Sequence, residues 1–104
     1  MTERILTNGK TEDEMPDYRE TDVSGQQKAY IVLTKDERSK GFIRPIRRSY
    51  IHAKCGVVTS MGLAIAETYA RDPKFYGSTF CAGCLSHFPV SEFKWDGTNE
   101  TVGS

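Results

Sequence analysis

Nowhere does this chain offer the run of about 18 apolar residues that a bilayer-spanning helix needs. Its opening, MTERILTNGKTEDE, also lacks the apolar core of a secretory signal. Both absences predict a soluble, cytoplasmic protein. Cysteine is scarce as well. Cys55, Cys81 and Cys84 are the only three, so they cannot all pair with one another. In a reducing compartment, closely spaced thiols serve as metal ligands more often than as disulfides. Net charge is missing too, with 14 basic residues against 14 acidic ones, but the balance is uneven along the chain. Residues 1–25 hold three basic and seven acidic side chains, a net charge of −4. From Lys40 to Lys54 five basic residues stand without a single acid. Such an arm can mimic a polyanion, cover a basic face or keep the chain soluble.

What is present is an apolar fraction of 38% over 104 residues, the size of one domain but too little to pack every residue. The aromatic residues gather in the second half, as Tyr50, Tyr69, Phe75, Tyr76, Phe80, Phe88, Phe93 and Trp95, which places the core there. Cores this small stabilise a fold weakly, and small domains often recruit a metal to compensate.

Along the chain, residues 1–27 combine acids, Gly, Ser and Gln with few large apolar groups and read as a disordered acidic arm. Ala29–Leu33 is a first strand-like run, and Thr34–Gly41 a polar turn. FIRPIRRSYIH is a second extended run, with Ile46 and Tyr50 on one face and Pro45 arguing for an edge position. Val58, Met61, Ile65 and Tyr69 recur at helical steps, capped by Thr59 or Ser60 and ended by Asp72-Pro73. FYGSTFCAGCLSHFPVSEFKW reads as a strand, a tight turn and a second strand or helical turn. The last residues, 98–104, read as a flexible tail. The expectation is an α+β fold: a zinc-stapled domain over 28–97, with short antiparallel strands and one main helix.

The chemistry-bearing pattern is a pair of short segments, HAKCG (His52–Gly56) and CAGC (Cys81–Cys84), each with two ligand-type residues separated by two others. Two such ligands face one ion when the chain turns between them, and zinc takes four thiolate or imidazole donors in a tetrahedron. His52, Cys55, Cys81 and Cys84 would complete a closed site with Zn2+ as cofactor. Gly56 stands where the chain must leave the first turn with positive φ, whereas the second pair carries Gly83 inside its loop and must turn differently. His87, three residues after Cys84, could reach the same ion; matched pairing favours His52.

The stretch from about Gly41 to Trp95 resembles the zinc-ribbon and treble-clef family of small zinc fingers. TFCAGCLSHFPVSEFKW in particular is similar to the C-terminal knuckle of small zinc-finger proteins of bacteriophage and bacterial genomes. The resemblance implies metal-ligand roles for His52, Cys55, Cys81 and Cys84. It says more about fold than about activity.

A zinc-dependent nucleobase deaminase would need a glutamate two residues after its histidine and a water position left open. Here Lys54 replaces the glutamate, Phe80 rather than proline precedes Cys81, and Cys55 fills the open position. The expectation is therefore binding rather than catalysis. Glu67 and Glu92 read as solvated charges. Arg44, Arg47, Arg48 and Lys54, interleaved with Phe42 and Tyr50, suit a phosphate backbone and make nucleic acid the first partner class. The alternative is a protein partner, such as a host enzyme bound by a phage-type factor.

Overall fold

The structure, a computed structural model, describes residues 4–104. The first strand, β1 (Arg4–Leu6), pairs antiparallel with β2 (Ile31–Leu33), Ile5 standing opposite Val32. A single helical turn, α1 (Lys35–Arg38), follows where a polar turn was expected. Thr34 starts it by accepting a hydrogen bond from the Glu37 N–H, which leaves fewer donors unsatisfied at the helix start. The next strands are β3 (Ser49–His52) and β4 (Val58–Ser60), then the main helix α2 (Leu63–Arg71). The chain closes with β5 (Ser78–Cys81), β6 (Ser86–Pro89), a 3-10 turn at Val90–Glu92 and β7 (Phe93–Trp95). This is the predicted mixture of antiparallel strands and one main helix.

β3 is the centre of a three-stranded sheet in the order β4-β3-β7, with Tyr50 opposite both Thr59 and Trp95. The edge position inferred from Pro45 is therefore wrong. Pro45 lies in the irregular segment before the strand, where its missing N–H costs no ladder bond, and Ile46 there is exposed while Tyr50 is buried. The helix also starts later than its apolar stripe suggests. Val58–Ser60 form the return strand of a hairpin, with Thr59 buried between two exposed neighbours, and Gly62 takes the N-cap position. Strand periodicity wins there because β3 offers a ladder. Asp72, the residue before Pro73, ends the helix as expected.

The main core gathers Tyr50, Met61, Ala66, Tyr69, Cys81, Phe93, Trp95 and Val102. Tyr50 meets Phe93 edge-on at 5.3 Å and Tyr69 meets Trp95 at 5.4 Å, the arrangement ring quadrupoles favour. The Tyr50 hydroxyl donates to the Phe80 carbonyl and so ties the three-stranded sheet to the β5–β6 hairpin. In α2, Thr68 accepts from the Leu33 N–H at 3.2 Å and docks the helix on β2.

Two boundaries need correction. Residues 4–27 are not a disordered arm: Leu6 and Tyr18 are buried with Ala29 in a second apolar cluster. Their few apolar side chains are placed to meet, and the polar ones build turns instead of loosening the chain. Thr11 and Glu14 exchange reciprocal side-chain to backbone bonds, and Asp22 accepts from the Ser24 and Gln26 N–H groups. Residues 1–3 lie outside the described residues. Nor is 98–104 a loose tail. Thr101 bridges to Lys94, and Val102 is buried and donates its N–H to the Phe93 carbonyl. The folded unit extends beyond 28–97 at both ends.

The N-terminal segment rests directly on the second ligand loop at Gly25. A Cβ on this residue would stand 2.1 Å from the Leu85 carbonyl oxygen, and its φ of +88° is itself unfavourable for any side chain. Gly25→Ala is therefore expected to lower stability by at least about 2 kcal/mol, combining left-handed strain with the overlap. Gly9→Ala is the control, since Gly9 has a similar φ of +85° but open space around it. Thermal unfolding of the two variants should show the larger drop for Gly25→Ala; equal drops would mean that the contact with Leu85 contributes nothing.

Candidate metal centre

Each ligand pair spans the tip of a β-hairpin. β3 ends at His52, the chain turns through Cys55, and β4 returns; β5 ends at Cys81, turns through Cys84, and β6 returns. The two turns close in the same way. The N–H after the second ligand donates to the carbonyl of the first, Gly56 to His52 and Leu85 to Cys81, both at 2.8 Å. Each exits through a left-handed residue, Gly56 at φ +72° and Leu85 at φ +55°. The second turn thus repeats the first, contrary to the expectation from Gly83. A leucine carries the strain that a glycine would avoid.

Gly83 has a different task. A Cβ there would lie 2.6 Å from the Val57 side chain and 3.2 Å from Cys55 Sγ, so only glycine lets the two turns approach. The Ala82 N–H, donating to Thr59 Oγ1 at 3.0 Å, fixes that approach.

The approach brings one donor atom from each of His52, Cys55, Cys81 and Cys84 within 4.8 Å of all the others. Cys55 Sγ and Cys81 Sγ are 3.4 Å apart, and Cys84 Sγ lies 3.6 Å from His52 Nδ1. Zinc–sulfur bonds of about 2.3 Å in a tetrahedron place donors about 3.8 Å apart. The cluster fits a four-coordinate ion without rearrangement of the fold, and these four residues could bind a metal. His87 is not among them. Its Nε2 faces the Tyr30 hydroxyl at 2.9 Å.

His52 is 1% exposed and sandwiched between Phe93, stacked at 4.5 Å, and Phe88 at 4.6 Å. Its Nε2–H donates to Glu92 Oε1 at 2.9 Å, which leaves Nδ1 unprotonated toward the thiols. Carboxylates commonly orient a ligating histidine in this way. The bond raises the His52 pKa and lowers that of Glu92, each being the other's main cause. Glu92 is thus not the solvated charge expected, and Glu67 is paired with Arg38. No pattern near His52 could have flagged Glu92, which lies 40 residues away and arrives through the 3-10 turn before β7. Glu92→Ala is expected to weaken metal affinity about 10- to 100-fold, measured by competition with a chromophoric chelator. Unchanged affinity would show that the Phe88–Phe93 sandwich orients the ring unaided.

The thiols differ. The Val57 N–H pointing at Cys55 brings its pKa down to about 7, whereas burial and the adjacent thiols push Cys84 up to about 11. Around neutral pH a metal must therefore displace protons to bind.

The four basic residues are engaged in different ways. Arg47 is mostly buried, lies 4.8 Å from the centre of the Trp95 ring and pairs with Glu100 at 2.9 Å. Lys54 Nζ stands 3.4 Å from Glu92. Arg48 donates to the Met61 carbonyl and Arg44 to those of Ile43 and Ser104, so both also pin the segment before β3. Two of the four cations expected to meet phosphate already have acidic partners. Among the described residues no helix is long and apolar enough to cross a membrane.

Comparison with known proteins finds no matching family model, no matching curated protein and no matching solved structure, which leaves the geometry of the site to carry the functional reading.

Proposed function

We propose that this protein is a small binding module whose fold is closed by one structural zinc ion on His52, Cys55, Cys81 and Cys84. The convergence of all four donors from two matched hairpin tips supports this reading. Three thiolates and an imidazole in a tetrahedral cage suit zinc, and four protein ligands leave no position for a reacting water. The ion would lock the two hairpins together, with His52 held by Glu92. The test is zinc content by native mass spectrometry: one ion per chain, lost in His52→Ala and kept in His87→Ala. Loss only in His87→Ala would overturn the ligand set.

Binding should also track pH. The Cys84 thiol is protonated throughout the neutral range and Cys55 becomes so below about 7, while the raised His52 pKa adds a further proton under acid conditions. Each displaced proton makes affinity rise about tenfold per pH unit. Zinc affinity is expected to climb between pH 6 and 8, with the steeper slope below 7. A flat profile in a chelator competition would be incompatible with thiol ligation.

As binding partner we propose nucleic acid, contacted through Arg44 and Arg48, neither of which forms an ion pair with an acidic side chain among the described residues. Binding should then weaken steeply with salt, and Arg44→Ala or Arg48→Ala should each reduce the salt slope by about one. One observation favours a protein partner instead: Phe42, Ile43 and Ile46 stand in solvent on the same segment, Ile43 being 61% exposed. A salt-insensitive complex that is lost in Ile43→Asp would establish that second reading.

A further inference from the structure

A cavity of about 350 Å³ lies between the N-terminal segment and the second hairpin, and no residue of the metal cluster lines it. Its walls combine two kinds of chemistry. Tyr30, Phe75 and Tyr76 supply ring surfaces, and Arg4, Arg19 and His87 supply nitrogen donors or acceptors, with no carboxylate in the lining. Arg19 donates through Nε to the Tyr18 hydroxyl at 3.0 Å, lies with its guanidinium carbon 5.6 Å from the centre of the Tyr18 ring, and makes no ion pair among the described residues. Arg4 holds Glu12 at 2.9 Å, but both side chains are close to half exposed, and an ion pair this open to water contributes little and can yield to a stronger anion. A second cavity of about 440 Å³ adjoins this one, sharing Tyr30, Tyr76 and Ser78 as common wall, and its lining contains no charged residue.

A small ligand site typically occupies 300–1,000 Å³ and is mostly ring and apolar wall with a few converging polar groups. A guanidinium without an acidic side-chain partner beside aromatic walls suits a ligand with a flat ring at one end and an anion at the other. Arginine forks prefer phosphate oxygens, and tyrosine faces accept bases of any sequence. We infer that this pair of cavities binds a nucleotide, with its phosphate against Arg19 and Arg4 and its base against Tyr30 and Tyr76.

None of the four metal-cluster residues and none of Arg44, Arg47 and Arg48 lines either cavity, although Thr59 and Ala82 in the wall of the larger one adjoin the two turns that carry the cluster. The site takes either a free nucleotide or one nucleotide unit of a single strand. The experiment is calorimetric titration of the zinc-loaded full chain with adenosine 5′-monophosphate, adenosine, inorganic phosphate and a short single-stranded oligo(dA). The expected result is that the monophosphate or the oligonucleotide binds at least tenfold more tightly than adenosine or phosphate alone. Arg19→Ala should weaken that binding about tenfold, with zinc content and circular dichroism unchanged. Lys94→Ala, which removes an exposed cation lining neither cavity, should leave mononucleotide binding as it is. Dependence on Arg19 with the monophosphate identifies a free-nucleotide site, and dependence with oligo(dA) alone identifies a strand-binding site. The inference is overturned if neither ligand binds more tightly than inorganic phosphate, or if Arg19→Ala and Arg19→Glu both bind like the unaltered chain.

Discussion

Cys81→Ser is expected to abolish zinc binding and leave the chain unfolded at 25 °C and neutral pH. Cys81 ends β5, has no exposed surface and belongs to the main core as well as to the donor cluster. Structural zinc contributes about 10–16 kcal/mol of apparent binding energy in small domains. The net stability of a domain is about 5–15 kcal/mol, so losing the ion removes as much as the fold has. Serine adds a second cost, because its hydroxyl would be a buried polar group in a thiol's place. To separate metal loss from packing loss, the unaltered protein should be treated with a strong chelator. Its circular dichroism and amide dispersion should collapse as in the variant and return on adding zinc. Should the chelated protein keep its melting midpoint, the ion is not what closes the fold.

The second large effect concerns the other end of the molecule. Leu6→Ala should lower stability by about 3 kcal/mol, in the middle of the range for leucine truncation in a core. Leu6 is 1% exposed and packs with Tyr18 and Ala29, while β1 pairs with β2 in register. For a chain of this length the loss corresponds to a fall of roughly 15 °C in melting temperature. A disordered acidic arm would give no change at all, so thermal unfolding separates the two descriptions directly. Removing residues 1–27 should destabilise further, because β2 would lose its only strand partner among the described residues.

These outcomes also mark what the sequence made legible. The spacing of His52, Cys55, Cys81 and Cys84 could be read because each pair is local, and a two-residue gap has few ways to turn. The end of α2 could be read for the same reason, since Asp72-Pro73 acts on its own backbone. Glu92, Gly83 and Gly25 could not, because each matters through a residue far along the chain. The N-terminal segment misled for a physical reason: average composition measures how much apolar surface there is, whereas folding depends on where it lands. Leu6 and Tyr18 land together. Arg47 illustrates the converse, since a cation counted toward a partner spends its charge on Glu100 and its flat face on Trp95.

The closeness of Gly25 to Leu85 has a dynamic consequence. The carbonyl that Gly25 covers belongs to the residue closing the Cys81–Cys84 turn, so the N-terminal segment and the ligand turn share one seam and must open together. Occupancy of the proposed metal site and protection of the N-terminal amides are then expected to be linked quantities. The Ala29 and Leu33 N–H groups, remote from the thiols in sequence, should exchange with solvent faster as zinc is withdrawn, and the two ends of the chain should report one cooperative event.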